Sequence, residues 1–220
     1  MPPDLNLSTV DRDAVRAHLR RDPVLRPLVD ALDFPEERIH LSAPYPALLR
    51  SVVGQQVSTK AAAAIYRRFL AAFDLAPDDP LAAPPPGVLA EADRETLRAA
   101  GLSYAKADYV RDIGAHFHAR PRLPARLADM PDEAVVAELT QIRGVGRWTV
   151  EMVMLFALGR ADLLPLDDLA VYQTMLELYG LDPDAPKRRL RAEMTGIAEA
   201  WRPYRSAACL YLYAWRNRDR

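Results

Sequence analysis

The chain has 220 residues, half of them apolar and 27% charged, an ordinary globular composition that fits one domain or two small lobes sharing a core. Its one cysteine, Cys209, excludes a disulfide framework, a cysteine-based zinc site and a four-cysteine iron–sulfur cluster, and reads as apolar filler on a C-terminal helix. The apolar stretches, such as the 8 residues from Met152 to Gly159, fall far short of the ~20 that cross a bilayer. No secretory pattern opens the chain at Met1-Pro2-Pro3-Asp4, so membrane and export readings fall away. Net charge is −1, yet Lys187 to Arg220 holds nine basic and three acidic residues. That excess fits a phosphate-facing surface or a solvated arginine-rich tail. His116 and His118, at i and i+2, point to different sides of a helix, and no protein-held transition metal is expected.

No segment alternates as a strand does; the periodic stretches have helical spacing, so the fold class reads as all-α. Tyr45, Leu48, Leu49, Val52 and Val53 form the stripe of an amphipathic helix. Gly54-Gln55-Gln56 interrupts it, and Ser58 is placed to cap a second helix with Ala62, Ile65, Phe69 and Phe73 inward. Pro77 to Gly87, with five prolines, reads as loop. A helix is expected from about Leu89 to Ala100, stopping at Gly101. Ser103 then caps one with Ala107, Val110, Gly114 and Phe117 on a face. A proline-bearing loop, Pro121 to Pro131, precedes a helix from about Asp132 to Gln141. Ile142-Arg143-Gly144-Val145-Gly146 turns tightly into a nearly all-apolar helix, Trp148 to Leu158, expected to be buried on every side. A proline loop leads to Asp167-Asp168 and a helix ending near Leu178, followed by helices at about Lys187–Ala200 and Tyr204–Trp215. The total is about nine or ten helices in one domain spanning 1–220.

Three features carry chemistry. Two glycines one residue apart let the backbone turn sharply, with nothing bulky over the amides of Gly144 and Gly146. Those amides and the free N–H groups opening the next helix suit a phosphate oxygen, while carbonyls on the opposite rim suit a bare cation. An ordinary helical-hairpin turn has the same glycine pattern. Asp167-Asp168 sits where a loop meets a helix, and capping alone accounts for such a pair; yet one carboxylate suffices as a cap, and the other, among apolar neighbours, can face developing positive charge. Trp148, Tyr204, Tyr211, Tyr213 and Trp215 are core aromatics or flat walls for a base.

Four segments, in this order, resemble the helix-hairpin-helix (HhH-GPD) DNA glycosylases, specifically the 3-methyladenine DNA glycosylase II (AlkA-like) branch. They are Ser51-Val52-Val53-Gly54-Gln55-Gln56-Val57-Ser58, the Ile142 to Thr149 hairpin, Leu164 to Asp168, and Trp201-Arg202-Pro203-Tyr204-Arg205-Ser206. The resemblance runs from about Tyr45 to Trp215. It implies two helical lobes flanking a cleft, with the hairpin motif at about 132–158 and no N-terminal β domain. It makes Asp168 the catalytic carboxylate, with Asp167 capping the helix or supporting the loop. It gives Gly144, Gly146 and Arg147 to DNA phosphate, and Gln56 to the gap left by a flipped base. Trp148 and Tyr213 become walls of the base pocket, with Met152 and Leu169 where the best-known relative has tyrosines. The carbonyls of Thr140, Ile142 and Val145 would hold a monovalent cation, a structural Na+ or K+; no cofactor is required. Bifunctional relatives carry a lysine directly after the hairpin, where this chain has Trp148, so no lyase activity is expected.

The resemblance thus implies a monofunctional hydrolase that excises alkylated bases, 3-methyladenine first, from double-stranded DNA in base excision repair. It would act as a monomer in a bacterial cytoplasm, at the nucleoid. The alternatives are a related glycosylase for deaminated, mismatched or etheno bases, a non-catalytic DNA-binding helix-hairpin-helix protein, and an all-α interaction protein.

Overall fold

Caps and prolines set the helix starts. In a computed structural model describing residues 6–35, 43–77, 79 and 81–218, these signals produce thirteen α-helices. The first four are α1 (Arg12–Leu19), α2 (Arg26–Ala31), α3 (Pro44–Gly54) and α4 (Thr59–Ala71). Then come α5 (Pro86–Ala90), α6 (Arg94–Ala99), α7 (Tyr104–His118), α8 (Leu123–Asp129), α9 (Asp132–Leu139) and α10 (Arg147–Phe156). The last are α11 (Leu169–Leu178), α12 (Lys187–Ala198) and α13 (Arg205–Asn217), with a 3-10 turn at Glu199–Trp201 before α13. Among the described residues the β pairing is a lone bridge between Asn6 and Arg160. The opening Met1 to Asp4 and parts of the Pro77–Gly87 loop lie outside the described residues.

The chain divides into two compact units, Leu41–Leu158 and the combination of Met1–His40 with Gly159–Arg220. In the first, α3 is central, packing on α4, α7, α8 and α10. Its expected stripe, Tyr45, Leu48, Leu49, Val52 and Val53, is buried throughout. Each such side chain contributes about 1.5–3 kcal/mol before chain entropy is charged. In the second unit α13 is central: Ser206 through Tyr213 are all buried, and α11 and α2 pack on it. Asp22 ties this unit together. Its Oδ2 accepts from Tyr179 Oη at 2.7 Å and Trp201 Nε1 at 2.8 Å, and its Oδ1 accepts from the amides of Val24 and Leu25. Trp201, from the fourth resembling segment, is therefore core.

Several expected elements come out differently. The helix expected at Leu89–Ala100 is two short ones. Backbone of α5 lies directly on Gly114 of α7, where a Cβ would meet Pro86 O and Ala90 N at 2.8 Å. That contact fixes the direction of α5, and Asp93 then caps α6 afresh through Thr96 N. Proline misled twice. Pro86 begins α5, and the expected Pro121–Pro131 loop contains α8, with Pro124 in its first turn and Leu123 and Leu127 buried. Proline is tolerated there because those N–H groups lack an intrahelical partner anyway. The inward face of α4 is Tyr66, Phe69 and Leu70, while Ala62, Ile65 and Phe73 are half-buried. Helix α10 is not buried all round: Trp148, Glu151 and Phe156 are half-buried. Two N-terminal helices, α1 and α2, went unread although Asp11 caps α1 and Val15 and Leu19 give it a buried i, i+4 pair.

Candidate functional site

The hairpin belongs to the Leu41–Leu158 unit. Helix α9 stops at Thr140, whose Oγ1 donates back to Val136 O at 2.7 Å. Ile142 and Val145 are buried and pin the turn, with Val145 N donating to Ile142 O at 3.1 Å. Gly144 has φ +81°, and a Cβ there would lie 2.3 Å from the Tyr109 ring, so glycine is required twice over. The expectation that nothing bulky shields Gly144 is thus corrected: Tyr109 covers one side. Gly146 is different. No heavy atom lies within 4 Å of a Cβ built there, and as N-cap of α10 it makes no side-chain cap bond. An anion can approach the open start of α10.

The hairpin arginines are held by carboxylates. Arg147 grips Glu133 through both nitrogens, Nη1 to Oε1 at 3.1 Å and Nη2 to Oε2 at 2.6 Å, with Glu151 at 3.6 Å. This hydrogen bonding holds the Glu133 carboxyl below its usual range and raises the guanidinium. Arg143 Nε donates to Asp112 Oδ2 at 2.7 Å. Arg147 and Glu133 are both exposed, so the pair is open to exchange with solvent anions.

Gln56 stands exposed in the α3–α4 turn with φ +58°. Its neighbour Gln55, to which the sequence reading gave no role, connects that turn to the hairpin. Gln55 Nε2 donates to Gly144 O and to buried Thr149 Oγ1, both at 3.1 Å. Lys106 Nζ donates to Val53 O at 2.8 Å and Gln55 O at 2.6 Å, closing the end of α3. Within this unit the α3–α4 turn and the hairpin are therefore tied by one set of bonds. The signal was present in the sequence, since Gln55 and Gln56 are adjacent, but their division of labour was not.

The acidic pair lies in the other unit. Asp168 is the N-cap of α11: Oδ1 accepts from Ala170 N and Val171 N, both at 3.0 Å, and Asp168 N donates to Pro165 O at 3.0 Å. Asp167 is exposed and paired with Arg191 of α12. This corrects the expectation that Asp167 caps: the bends of Pro165 to Asp168 turn the second carboxylate, not the first, toward the helix start. Asp168 is half-buried, and the adjacent Leu169 is 66% exposed. Burial and the nearby Asp168 charge push the Cys209 thiol up.

Of the expected pocket residues, Trp148 and Met152 stand one turn apart on α10, half-buried and buried. Leu169 and buried Tyr213 belong to the unit that holds Asp168. Tyr211 is core, its hydroxyl accepting from Arg16 Nη1 at 3.0 Å. The basic C-terminal region is less available than its count suggests. Arg189 pairs with Glu193, Arg191 with Asp167, Arg202 with Asp162 and Glu199, and Arg205 with Asp162.

The profile described as HhH-GPD superfamily base excision DNA repair protein matches residues 49–200, and the chain belongs to that superfamily. Among curated relatives, it is 33% identical over 173 residues to a putative DNA-3-methyladenine glycosylase of Bacillus subtilis, covering 79% of this chain and 58% of that one. It is 33% identical over 181 residues to DNA-3-methyladenine glycosylase 1 of Schizosaccharomyces pombe, covering 81% and 75%. The fold matches the Schizosaccharomyces pombe 3-methyladenine DNA glycosylase Mag1, solved with abasic DNA, at TM-score 0.76 and 30% identity over 91% of this chain and 95% of that one. A Bacillus halodurans DNA-3-methyladenine glycosidase matches at TM-score 0.74 and 31% identity, over 94% and 90%.

Proposed function

We propose that this protein is a monofunctional DNA glycosylase that flips alkylated bases, 3-methyladenine foremost, from double-stranded DNA and hydrolyses the N-glycosidic bond. The observation that carries the reading is Asp168, a half-buried carboxylate fixed by two cap bonds at the end of an ordered loop, in a chain of this superfamily. A base in duplex DNA hides its glycosidic bond, and extruding it costs a few kcal/mol, less when the lesion weakens pairing. Gln56 enters the vacated stack, while the amides at Gly144 and Gly146, with Arg147, take backbone phosphate without reading sequence.

Bond cleavage develops oxocarbenium character on the sugar. A ring-alkylated purine is already cationic and leaves without a general acid, so one carboxylate suffices. Asp168 stabilises the sugar cation and orients or deprotonates the attacking water. In the hairpin's unit Trp148 and Met152 are the positions assigned to the base, and in the other unit Leu169 and Tyr213; Met152 and Leu169 make each set less aromatic than tyrosines there would. Trp148 replaces the lysine that strand-cutting relatives use, so no lyase step follows. No cofactor takes part. The carbonyls of Thr140, Ile142 and Val145 are hard oxygen donors, and among the described residues those of Thr140 and Val145 take no turn or cap bond, which fits a structural Na+ or K+ that would steady the hairpin. The two units act as one glycosylase domain, a monomer working on nucleoid DNA in a bacterial cytoplasm.

The test is base release from methylated duplex DNA by wild type and Asp168→Asn. Release of 3-methyladenine by wild type alone, with strand breaks appearing only after alkali, is expected. Release by both proteins equally would overturn the role of Asp168; release of only deaminated or etheno bases would move the substrate class.

A further inference from the structure

The loop from Gly159 to Asp168 carries no helix; its first two residues are held by the N-terminal segment, through the Asn6–Arg160 bridge and Leu7 N to Gly159 O at 2.7 Å. From Ala161 to Leu163 its bonds go to the start of α13. The residue in the N-cap position of α13, Tyr204, makes no side-chain cap bond. Asp162 supplies the missing cap from the loop. Its Oδ1 accepts from Arg205 Nε at 2.7 Å and Arg205 N at 3.4 Å. Its Oδ2 accepts from Arg202 Nη1 at 2.6 Å and Arg205 Nη2 at 3.1 Å, and Arg205 Nη2 also donates to Asp162 O at 2.7 Å. Two further bonds fasten the same stretch: Ser206 N donates to Ala161 O at 3.0 Å, and Leu163 N donates to the buried Ser206 Oγ at 2.9 Å.

The Asp162 side chain is 0% exposed. A carboxylate with no access to water is costly unless its charge is met, and here two guanidiniums and the positive end of α13 meet it. Such a cluster is poor value as a source of stability, because apolar residues of the same volume often do as well. What apolar residues cannot supply is direction. Six hydrogen bonds to Arg205 and Ser206 at the start of α13, with a seventh from Arg202 just before it, fix where the chain leaves Leu163, and only Leu164, Pro165, Leu166 and Asp167 separate that point from Asp168. Pro165 restricts that short path, and the turn bonds Leu166 N to Leu164 O and Asp168 N to Pro165 O close it. Beyond it, α11 packs on α13 again. Both ends of the carboxylate's support thus refer to one buried helix.

We propose that Asp162, clamped by Arg205 and Arg202 at the start of α13, is a positioning residue for Asp168. The proposal rests on the reading of Asp168 as the catalytic carboxylate. Misplacing a reacting group by 1 Å costs on the order of 10²-fold in rate, whereas the surfaces assigned to DNA phosphate lie elsewhere, on the hairpin. Loosening the clamp should therefore slow chemistry without weakening DNA.

The experiment is single-turnover base release from methylated duplex at saturating enzyme, for wild type, Asp162→Asn and Ser206→Ala, with the Kd for an abasic-site duplex measured alongside. Asp162→Asn keeps the shape and removes the charge; Ser206→Ala removes only the bond to Leu163 N. The expected result is a rate loss of about tenfold or more for Asp162→Asn and a smaller loss for Ser206→Ala, with Kd unchanged for both. If Asp162→Asn does not fold, the Ser206→Ala rate decides alone. Wild-type rates in the folded variants, or rate and affinity falling together, overturn the proposal. A wild type that releases no base overturns the activity reading itself, and the proposal with it.

Discussion

Asp167 and Asp168 are neighbours of equal charge, and their surroundings separate them: one pairs with Arg191 at the surface, the other caps α11. The separation makes a clean substitution available. Asparagine caps about as well as aspartate, so Asp168→Asn should change stability by no more than about 0.5 kcal/mol. If Asp168 faces the sugar cation as proposed, removing its charge should lower single-turnover excision by roughly 10²–10³-fold or more. Asp167→Asn loses an exposed ion pair, a change of about 0–1 kcal/mol, with excision within a few-fold of wild type. Melting temperature and excision rate on the same samples check both. The sequence marked this pair as a cap plus a reactive group, but the assignment of the two roles depended on the bends after Pro165, which no residue type announces. Gln55 shows the same limit. Its side chain reaches residues 89 and 94 positions away, and nothing local to Gly54-Gln55-Gln56 indicates which glutamine turns inward.

The two hairpin glycines are expected to respond in opposite ways. Gly144→Ala puts a Cβ onto the Tyr109 ring at a positive φ and should destabilise the fold by roughly 2 kcal/mol or more. Gly146→Ala meets open space, so the melting temperature should hold while DNA binding weakens, because the added methyl stands where phosphate approaches. Thermal melts and a binding titration separate them. His116 on α7 offers a pH test. Burial and Arg120 hold its pKa below the ordinary 6.5, against the pull of Glu138 at 2.9 Å. The unfolded chain then binds the proton more readily than the folded one, so stability is complete above about 6.5 and declines as pH falls from there through the lowered pKa. His116→Gln should flatten that decline in melts between about pH 7 and 5. Long helices with a clear stripe, α3 and α7, were legible in sequence. The short helices α5 and α8 were not, since they are too short for a period to show and their prolines imitate loops; α6 fell inside the expected Leu89–Ala100 helix, whose break at Asp93 no residue pattern announces.

At the scale of the molecule, the basic count of the C-terminal region is offset by ion pairs that span long stretches of chain, Asp162 with Arg202 and Arg205 above all. On the proposed function, the hairpin amides and Arg147, already held by Glu133, carry the contacts to DNA phosphate. Glu133→Gln should release Arg147 and tighten binding a few-fold, while Arg147→Gln should weaken binding and lower the salt slope by about one. Composition and motif order placed this chain among all-α repair proteins, because those signals are local; the pairing of distant charges was beyond them. The most direct test of the whole account is chromatographic identification of bases released from methylated duplex DNA, with strand breaks scored before and after alkali. Free 3-methyladenine from wild type, none from Asp168→Asn, and breaks only after alkali is the expected result. Equal release by the two proteins, or breaks before alkali, would contradict it.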